Sequence, residues 1–151
     1  MKKVLIIIFS ILLLTGCKIN QDDGKERMYL SDSYYNKGEF IELKSDDLSD
    51  KVNDTYLLFT YNNYCSLPIP CEDIFKSFAK KYKIDFISMP FGEFKNTEFY
   101  NTVEYAPSVL IIKDNKIVAY LDANSDKDLE KYQDLKEFEL WLDKYIYFNK
   151  K

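Results

Sequence analysis

The fold of this chain is decided at residues 63–72, Asn63-Tyr64-Cys65-Ser66-Leu67-Pro68-Ile69-Pro70-Cys71-Glu72. An apolar run of strand length precedes this stretch and an amphipathic helical pattern follows it, so the two cysteines lie at a predicted strand-to-helix turn. A fully extended chain would separate Cys65 and Cys71 by roughly 20 Å, whereas the Cα atoms of a disulfide lie about 5.5 Å apart. The intervening residues must therefore fold back, and two prolines restrict how they do so.

Two kinds of chemistry fit such a pair of cysteines. The unpaired N–H groups and the dipole of a helix N-terminus favour a thiolate, which would make the pair suited to reversible disulfide exchange. The alternative is a structural disulfide that closes a short loop and stabilises the fold by about 2.4 kcal/mol. The residues alone leave both interpretations open.

The composition excludes several other classes of function. The 151 residues contain no histidine, which removes Ser-His-Asp and Cys-His activation of a nucleophile and the commonest ligand of transition metals. No glycine-rich phosphate-binding motif is present, so we expect neither a metal nor an organic cofactor. Basic residues number 21 and acidic residues 25, and an acidic chain without a basic aromatic patch is a poor candidate for nucleic acid.

The first seventeen residues predict export and a lipid anchor. Lys2 and Lys3 precede an apolar run that is too short to span a bilayer as a helix, which is typical of a secretory leader. The ending Leu14-Thr15-Gly16-Cys17 resembles the lipobox of bacterial lipoproteins. That resemblance implies that residues 1–16 are removed, that Cys17 is acylated, and that the protein is held on the extracytoplasmic face of the cell membrane.

This assignment leaves one pair among the three cysteines. Once Cys17 carries lipid, Cys65 and Cys71 remain for each other, in a compartment where a disulfide persists. Residues 17–38 are mostly polar and without a clear period, and we interpret them as a lipidated flexible tether with Tyr34 and Tyr35 packing at its end. The folded domain is then expected to span residues 39–151.

The pattern of the remaining chain predicts alternating strands and helices, closed by a hairpin and a last helix. The expected strands cover residues 40–43, 56–61, 84–89, 108–113 and 116–121, and the expected helices cover residues 45–52, 72–82, 93–103 and 135–146. This order predicts an α/β fold with a central mixed sheet of four to five strands and helices on both faces.

That order, with a cysteine pair after the second strand, resembles the thioredoxin fold. Three local matches carry the resemblance: residues 40–46 for the first strand and helix start, residues 57–65 for the strand that enters the active site, and Tyr105-Ala106-Pro107-Ser108 for a cis-proline segment. The similarity covers roughly residues 39–148, which are expected to form a three-layer thioredoxin-like domain.

The resemblance implies roles for particular residues. Cys65 would be the nucleophile and Cys71 the resolving cysteine, although these two roles could be exchanged. Tyr64, at the position where the family usually has Trp, would line the groove for client proteins together with Ala106 and Pro107, with the Ala106–Pro107 bond in cis. Clients with thiols or disulfides and a membrane electron-transfer partner would be the partners.

Two departures from the family pattern weaken a purely thioredoxin-like activity. Five residues separate Cys65 from Cys71, whereas the family has two between its cysteines. The buried acidic residue of thioredoxins aligns with Phe59, so its proton-shuttling role is absent. A non-catalytic binding lipoprotein with a structural Cys65–Cys71 disulfide is therefore the alternative function.

Overall fold

The computed structural model describes residues 26–63 and 67–151. Its strands are β1 (Phe40–Glu42), β2 (Thr55–Tyr61), β3 (Phe86–Pro90), β4 (Ser108–Lys113) and β5 (Lys116–Tyr120), and its α-helices are α1 (Cys71–Tyr82), α2 (Phe91–Phe94) and α3 (Leu135–Leu142). Short 3₁₀ helices cover Asp32–Tyr34, Ser45–Lys51, Glu98–Asn101 and Leu129–Tyr132.

The five strands form one mixed sheet in the order β1-β3-β2-β4-β5. Strand β3 is parallel to both β1 and β2, whereas β4 is antiparallel to β2 and to β5. Residues 55–60 of the central strand β2 are all buried, as expected for a near-continuous apolar run covered on both faces. The predicted α/β architecture with a mixed sheet is confirmed.

Helices α1 and α3 pack together on one face of the sheet. The ring of Phe59 on β2 lies 5.3 Å from that of Phe75 on α1, and Phe75 lies 4.7 Å from Phe138 on α3. Alternation along β2 turns Tyr56 to the opposite face, where it is close enough to Glu98 for an electrostatic interaction. The helical turns therefore cover both faces and enclose the sheet.

The hairpin between β4 and β5 confirms the strongest local prediction. Asp114 and Asn115 have φ angles of 49° and 57°, the left-handed conformation that a two-residue hairpin turn requires and that Asp and Asn tolerate. The second strand of the hairpin is half-buried and forms one edge of the sheet.

Part of the predicted tether is instead packed into the fold. Met28 pairs with Ile146 in a parallel bridge, and Leu30 and Tyr34 are buried. The folded unit therefore includes residues 26–38 and does not begin at residue 39. Sequence periodicity missed this segment because its partners, such as Ile146, come much later in the chain.

Two predicted helices are shorter or interrupted. The helix expected over residues 93–103 is divided into α2 and the turn Glu98–Asn101, and the hydroxyl of Thr97 donates a hydrogen bond to the carbonyl of Phe94 at 2.8 Å. Such side-chain bonds to the backbone compete with helix propagation. The last helix ends at Leu142, because Tyr145 and Ile146 pair with the segment around Met28.

Candidate functional site

The topology places three functional segments at one edge of the sheet. Thr60 near the end of β2 is the register partner of Ser108 at the start of β4, so the residues after β2 lie beside the residues before β4. The chain then enters α1 at Cys71. Asn62, directly after β2, and the Tyr105–Ser108 segment are therefore neighbours.

The peptide bond between Ala106 and Pro107 is cis, which confirms the prediction for this segment. The side-chain amide of Asn62 donates a hydrogen bond to the carbonyl oxygen of Ala106 at 3.0 Å. The hydroxyl of Ser108 donates to the carbonyl oxygen of Tyr105 at 2.8 Å. The first bond joins the cis-proline segment to the residue directly after β2, and the second closes the turn within the segment.

Cys71 is the first residue of α1 and is only 2 % exposed. A helix N-terminus stabilises negative charge, but Glu72 and Asp73 in the same turn oppose it. The carboxylate of Glu72 forms an ion pair with Lys76 at 2.7 Å, which balances part of that charge. Cys71 thus combines burial with a helix start that is not strongly positive.

Tyr132 lies close to Cys71 and bonds to Ser108 of the cis-proline segment. Its hydroxyl is buried and donates to the carbonyl oxygen of Leu121 at 3.0 Å, forms a hydrogen bond with the Ser108 side chain, and lies close enough to Cys71 for an electrostatic interaction. Burial raises the pKa of Tyr132 well above its ordinary value, although the bond with Ser108 partly opposes this. The phenol is therefore neutral at physiological pH.

The loop before α1 is held from outside by Gln133. Its side-chain amide donates to the carbonyl oxygen of Ile69 at 2.8 Å and accepts from the N–H of Ile69 at 3.2 Å. Leu67 packs against the core, whereas Pro68, Ile69 and Pro70 are exposed. Nothing in the sequence predicted this contact, because Gln133 lies in a polar stretch far along the chain from the loop.

An open cavity of about 530 Å³ lies beside the start of the loop, between the ends of β2 and β3, and its lining residues are Tyr61, Asn62, Asn63, Pro90, Phe91 and Gly92. The hydroxyl of Tyr61 donates to the carboxylate of Glu42 at 2.8 Å. Burial together with this carboxylate raises the pKa of Tyr61 to about 12. Tyr61 therefore forms part of the cavity wall with its hydroxyl protonated at physiological pH.

The predicted site residues divide into those that the structure describes and those that lie outside the described residues. Ala106, Pro107 and Cys71 lie at the same edge of the sheet. Tyr64, Cys65 and Cys17 lie outside the described residues, so their roles stay predictions. Phe59, which aligns with the buried acid of thioredoxins, is 1 % exposed and packs against Phe75.

Two further searches of residues 26–63 and 67–151 bear on the other function classes. Within that part of the chain, no three acidic or cysteine side chains are grouped so that they could hold a metal ion. No helix found there has the length and apolar character needed to cross a bilayer.

Comparisons with known proteins relate the chain to others through its fold. No protein-family model matches the sequence, and no protein with a curated description is similar to it in sequence. Among solved structures, a thioredoxin from Schistosoma mansoni is similar to 74 % of this chain over 99 % of its own length, with 20 % identity and a TM-score of 0.50.

A single-site mutant of thioredoxin from Halobacterium salinarum is similar to 74 % of this chain over 95 % of its own length, with 16 % identity and a TM-score of 0.51. At such low identity the likeness concerns the path of the backbone. It agrees with the mixed five-stranded sheet. The chain has a thioredoxin-like fold.

Proposed function

We propose that this protein is a membrane-anchored extracytoplasmic thiol–disulfide exchange protein that acts on client proteins through Cys65 and Cys71. One observation supports this proposal most. The two described ends of the 62–71 segment lie near the cis-proline segment: Asn62 bonds to Ala106, and Cys71 is close to Tyr132, which bonds to Ser108. Cys65 lies between Asn62 and Cys71 in the sequence.

The exchange needs no cofactor. The Cys65 thiolate attacks one sulfur of a client disulfide, so that a mixed disulfide forms and the other client sulfur leaves as a thiolate that takes up a proton. The Cys71 thiol loses its proton and attacks the Cys65 sulfur, which releases the second client thiolate. The client disulfide has then been reduced by two electrons and the Cys65–Cys71 pair oxidised by two. A membrane redox partner would restore the pair.

The client groove of this proposal includes Tyr64 and the exposed sides of Ala106 and Pro107, which are both half-buried. The open cavity between the ends of β2 and β3 continues it on the other side of Asn62. A client strand that paired with the backbone of Ala106 would add to the edge of the fold by β-augmentation. The carbonyl of Ala106 already accepts from Asn62, and its second lone pair remains for the client.

The burial of Cys71 supports the alternative function, a binding lipoprotein with a structural disulfide. A cysteine with 2 % exposure is less open to attack than a typical exchange cysteine, and a closed pair would be protected. The two functions differ in the reduction potential of the pair. Exchange catalysts have potentials of roughly −120 to −270 mV, whereas structural disulfides lie below about −300 mV.

The deciding experiment measures that potential by equilibrating the lipid-free protein with glutathione or dithiothreitol buffers. We expect a value in the range of the catalysts and turnover in an insulin-reduction assay. Cys71→Ser should accumulate a mixed disulfide with Cys65, and Cys65→Ser should abolish attack. Ser77→Ala, an exposed substitution on α1, is the matched control. A potential below about −300 mV without turnover would favour the structural disulfide.

The anchor is tested separately. Acylation of Cys17 predicts that the full-length protein expressed in a bacterial host carries labelled palmitate and sediments with membranes. Cys17→Ser should lose the label and be recovered unprocessed or in the soluble fraction. Labelling that persists in this variant would exclude Cys17 as the acylated residue.

A further inference from the structure

The exposed loop before α1 is bonded at Ile69 by the side chain of Gln133. The carbonyl oxygen of Ile69 accepts from Gln133 Nε2 at 2.8 Å, and the N–H of Ile69 donates to Gln133 Oε1 at 3.2 Å. A carboxamide is the side-chain group that carries a donor and an acceptor side by side. It therefore pairs with Ile69 as a second peptide group would in a β-bridge.

The residues of the loop have few other means of being held in place. Pro68 and Pro70 have no N–H group, so Ile69 supplies the one backbone donor between Leu67 and Cys71. All three residues of the Pro68–Pro70 segment are exposed, which means that core packing does not hold them. The contact with Gln133 lies two residues before Cys71 and restrains the side of the loop that leads into α1.

The residues on both sides of Gln133 are fixed by hydrogen bonds. It follows the turn Leu129–Tyr132, whose last residue is fastened by its hydroxyl to Leu121 at 3.0 Å. The next residue, Asp134, caps α3 by accepting from the N–H groups of Lys136 and Glu137 at 2.8 and 3.0 Å. The amide of Gln133 is thus presented from a segment that is fixed on both sides.

We propose that Gln133 is a positioning residue for the cysteine pair, because it fixes the backbone of Ile69 two residues before Cys71, where the loop enters α1. This inference rests on the proposed function and adds the element that sets how readily the pair closes. Closing the disulfide from two thiols releases two protons and passes two electrons to the client disulfide. A restrained loop raises the effective concentration of one sulfur at the other and so stabilises the closed form.

The test is the reduction potential of Gln133→Ala, measured in the same thiol buffers as the wild-type protein. The net contribution of a hydrogen bond of this kind is about threefold to tenfold in an equilibrium constant. Loss of both bonds should therefore lower the closing equilibrium by at least about threefold to tenfold, which makes the potential less negative by about 14 to 30 mV for this two-electron couple.

Two further variants separate positioning from a merely structural role. Gln133→Glu keeps the length and one acceptor but loses the donor to Ile69, so it should shift the potential in the same direction and not restore it. Asn124→Ala removes an exposed amide in the same polar stretch and should leave the potential unchanged. Urea unfolding of the reduced forms should show that all three variants still fold cooperatively, which separates a change in loop position from loss of the fold.

The outcomes distinguish this inference from the proposed function. A wild-type potential in the catalyst range with no change in Gln133→Ala, or a change toward more negative values, overturns the positioning role and leaves the exchange function standing. A wild-type potential below about −300 mV without turnover overturns the exchange function. A shift in Gln133→Ala would then still show that this residue governs closure of the pair.

Discussion

The carboxylate of Asp85 is the buried group on which a single substitution should have its largest effect on stability. Asp85 is fully buried. One of its oxygens accepts from the backbone N–H groups of Lys37, Gly38 and Glu39 at 3.1, 2.7 and 2.8 Å, and the other accepts from the Asn36 side chain at 3.1 Å. The residue thus ties the turn before β1 to the segment that leads into β3.

The magnitude follows from the groups that lose their acceptor. Asp85→Ala leaves three backbone donors unpaired, of which the N–H of Gly38 is buried and the other two are partly accessible to water. An unsatisfied buried donor costs about 1–3 kcal/mol, and water relieves the partly exposed ones. We therefore expect a loss of about 3–5 kcal/mol, against a total stability of about 5–15 kcal/mol for a domain of this kind.

Urea unfolding followed by circular dichroism measures this loss. Asp85→Asn keeps the shape and one acceptor oxygen without the charge, so it should cost about 1–2 kcal/mol. It should therefore remain folded at urea concentrations that already unfold Asp85→Ala. Asp50→Ala, at an exposed site, is the control and should stay within about 0.5 kcal/mol of wild type. A loss below about 1 kcal/mol for Asp85→Ala would refute the reasoning, because the three N–H groups would then have found other partners.

Three further predictions concern other parts of the fold. Gly38 has a φ of 76°, and a Cβ there would lie 2.3 Å from the carbonyl oxygen of Ala79, so Gly38→Ala should lower the free energy of unfolding by at least about 2 kcal/mol; an unchanged urea midpoint would contradict this. The buried hydroxyl of Tyr56 has no hydrogen-bond partner among the described residues, so Tyr56→Phe should be neutral or stabilising by up to about 1 kcal/mol, and a clear loss of stability would show a hidden partner. Burial and the Glu42 carboxylate raise the pKa of Tyr61 from 10.0 to about 12. The stability from this shift is fully present below pH 10 and is lost as the pH rises to about 12, because the unfolded chain then releases the proton first. Unfolding curves between these pH values should accordingly fall less steeply for Tyr61→Phe.

The elements that the sequence predicted well are those whose cause is local. The apolar run of β2, the helical spacing of α1 and the Asp114-Asn115 turn each specify their own conformation within a few residues. The cis bond before Pro107 has another origin, because it was inferred from the resemblance of Tyr105-Ala106-Pro107-Ser108 to the cis-proline segment of the thioredoxin fold.

The contacts that escaped prediction join residues far apart in the chain. Asp85 lies 46 to 48 positions from the N–H groups it binds at residues 37–39, and Gln133 lies 64 positions from Ile69. The sequence around a polar side chain does not show which group it binds. The same residue types occur at positions that face solvent and at positions that bond to a distant part of the chain. Residues 26–38 were assigned to a tether for the same reason, because their partners around Asp85 and Ile146 come later in the chain.

The groups around Cys71 indicate what could set the reactivity of the cysteine pair in the proposed exchange. The ring of Phe59 is buried in the core, and the phenol of Tyr132 near Cys71 is neutral. The helix start offers a positive end that the first-turn carboxylates partly cancel. None of these groups supplies a strong charge to a sulfur. For the proposed exchange, we therefore expect the attachment of the loop at Ile69 to tune the Cys65–Cys71 pair more than any of these groups does.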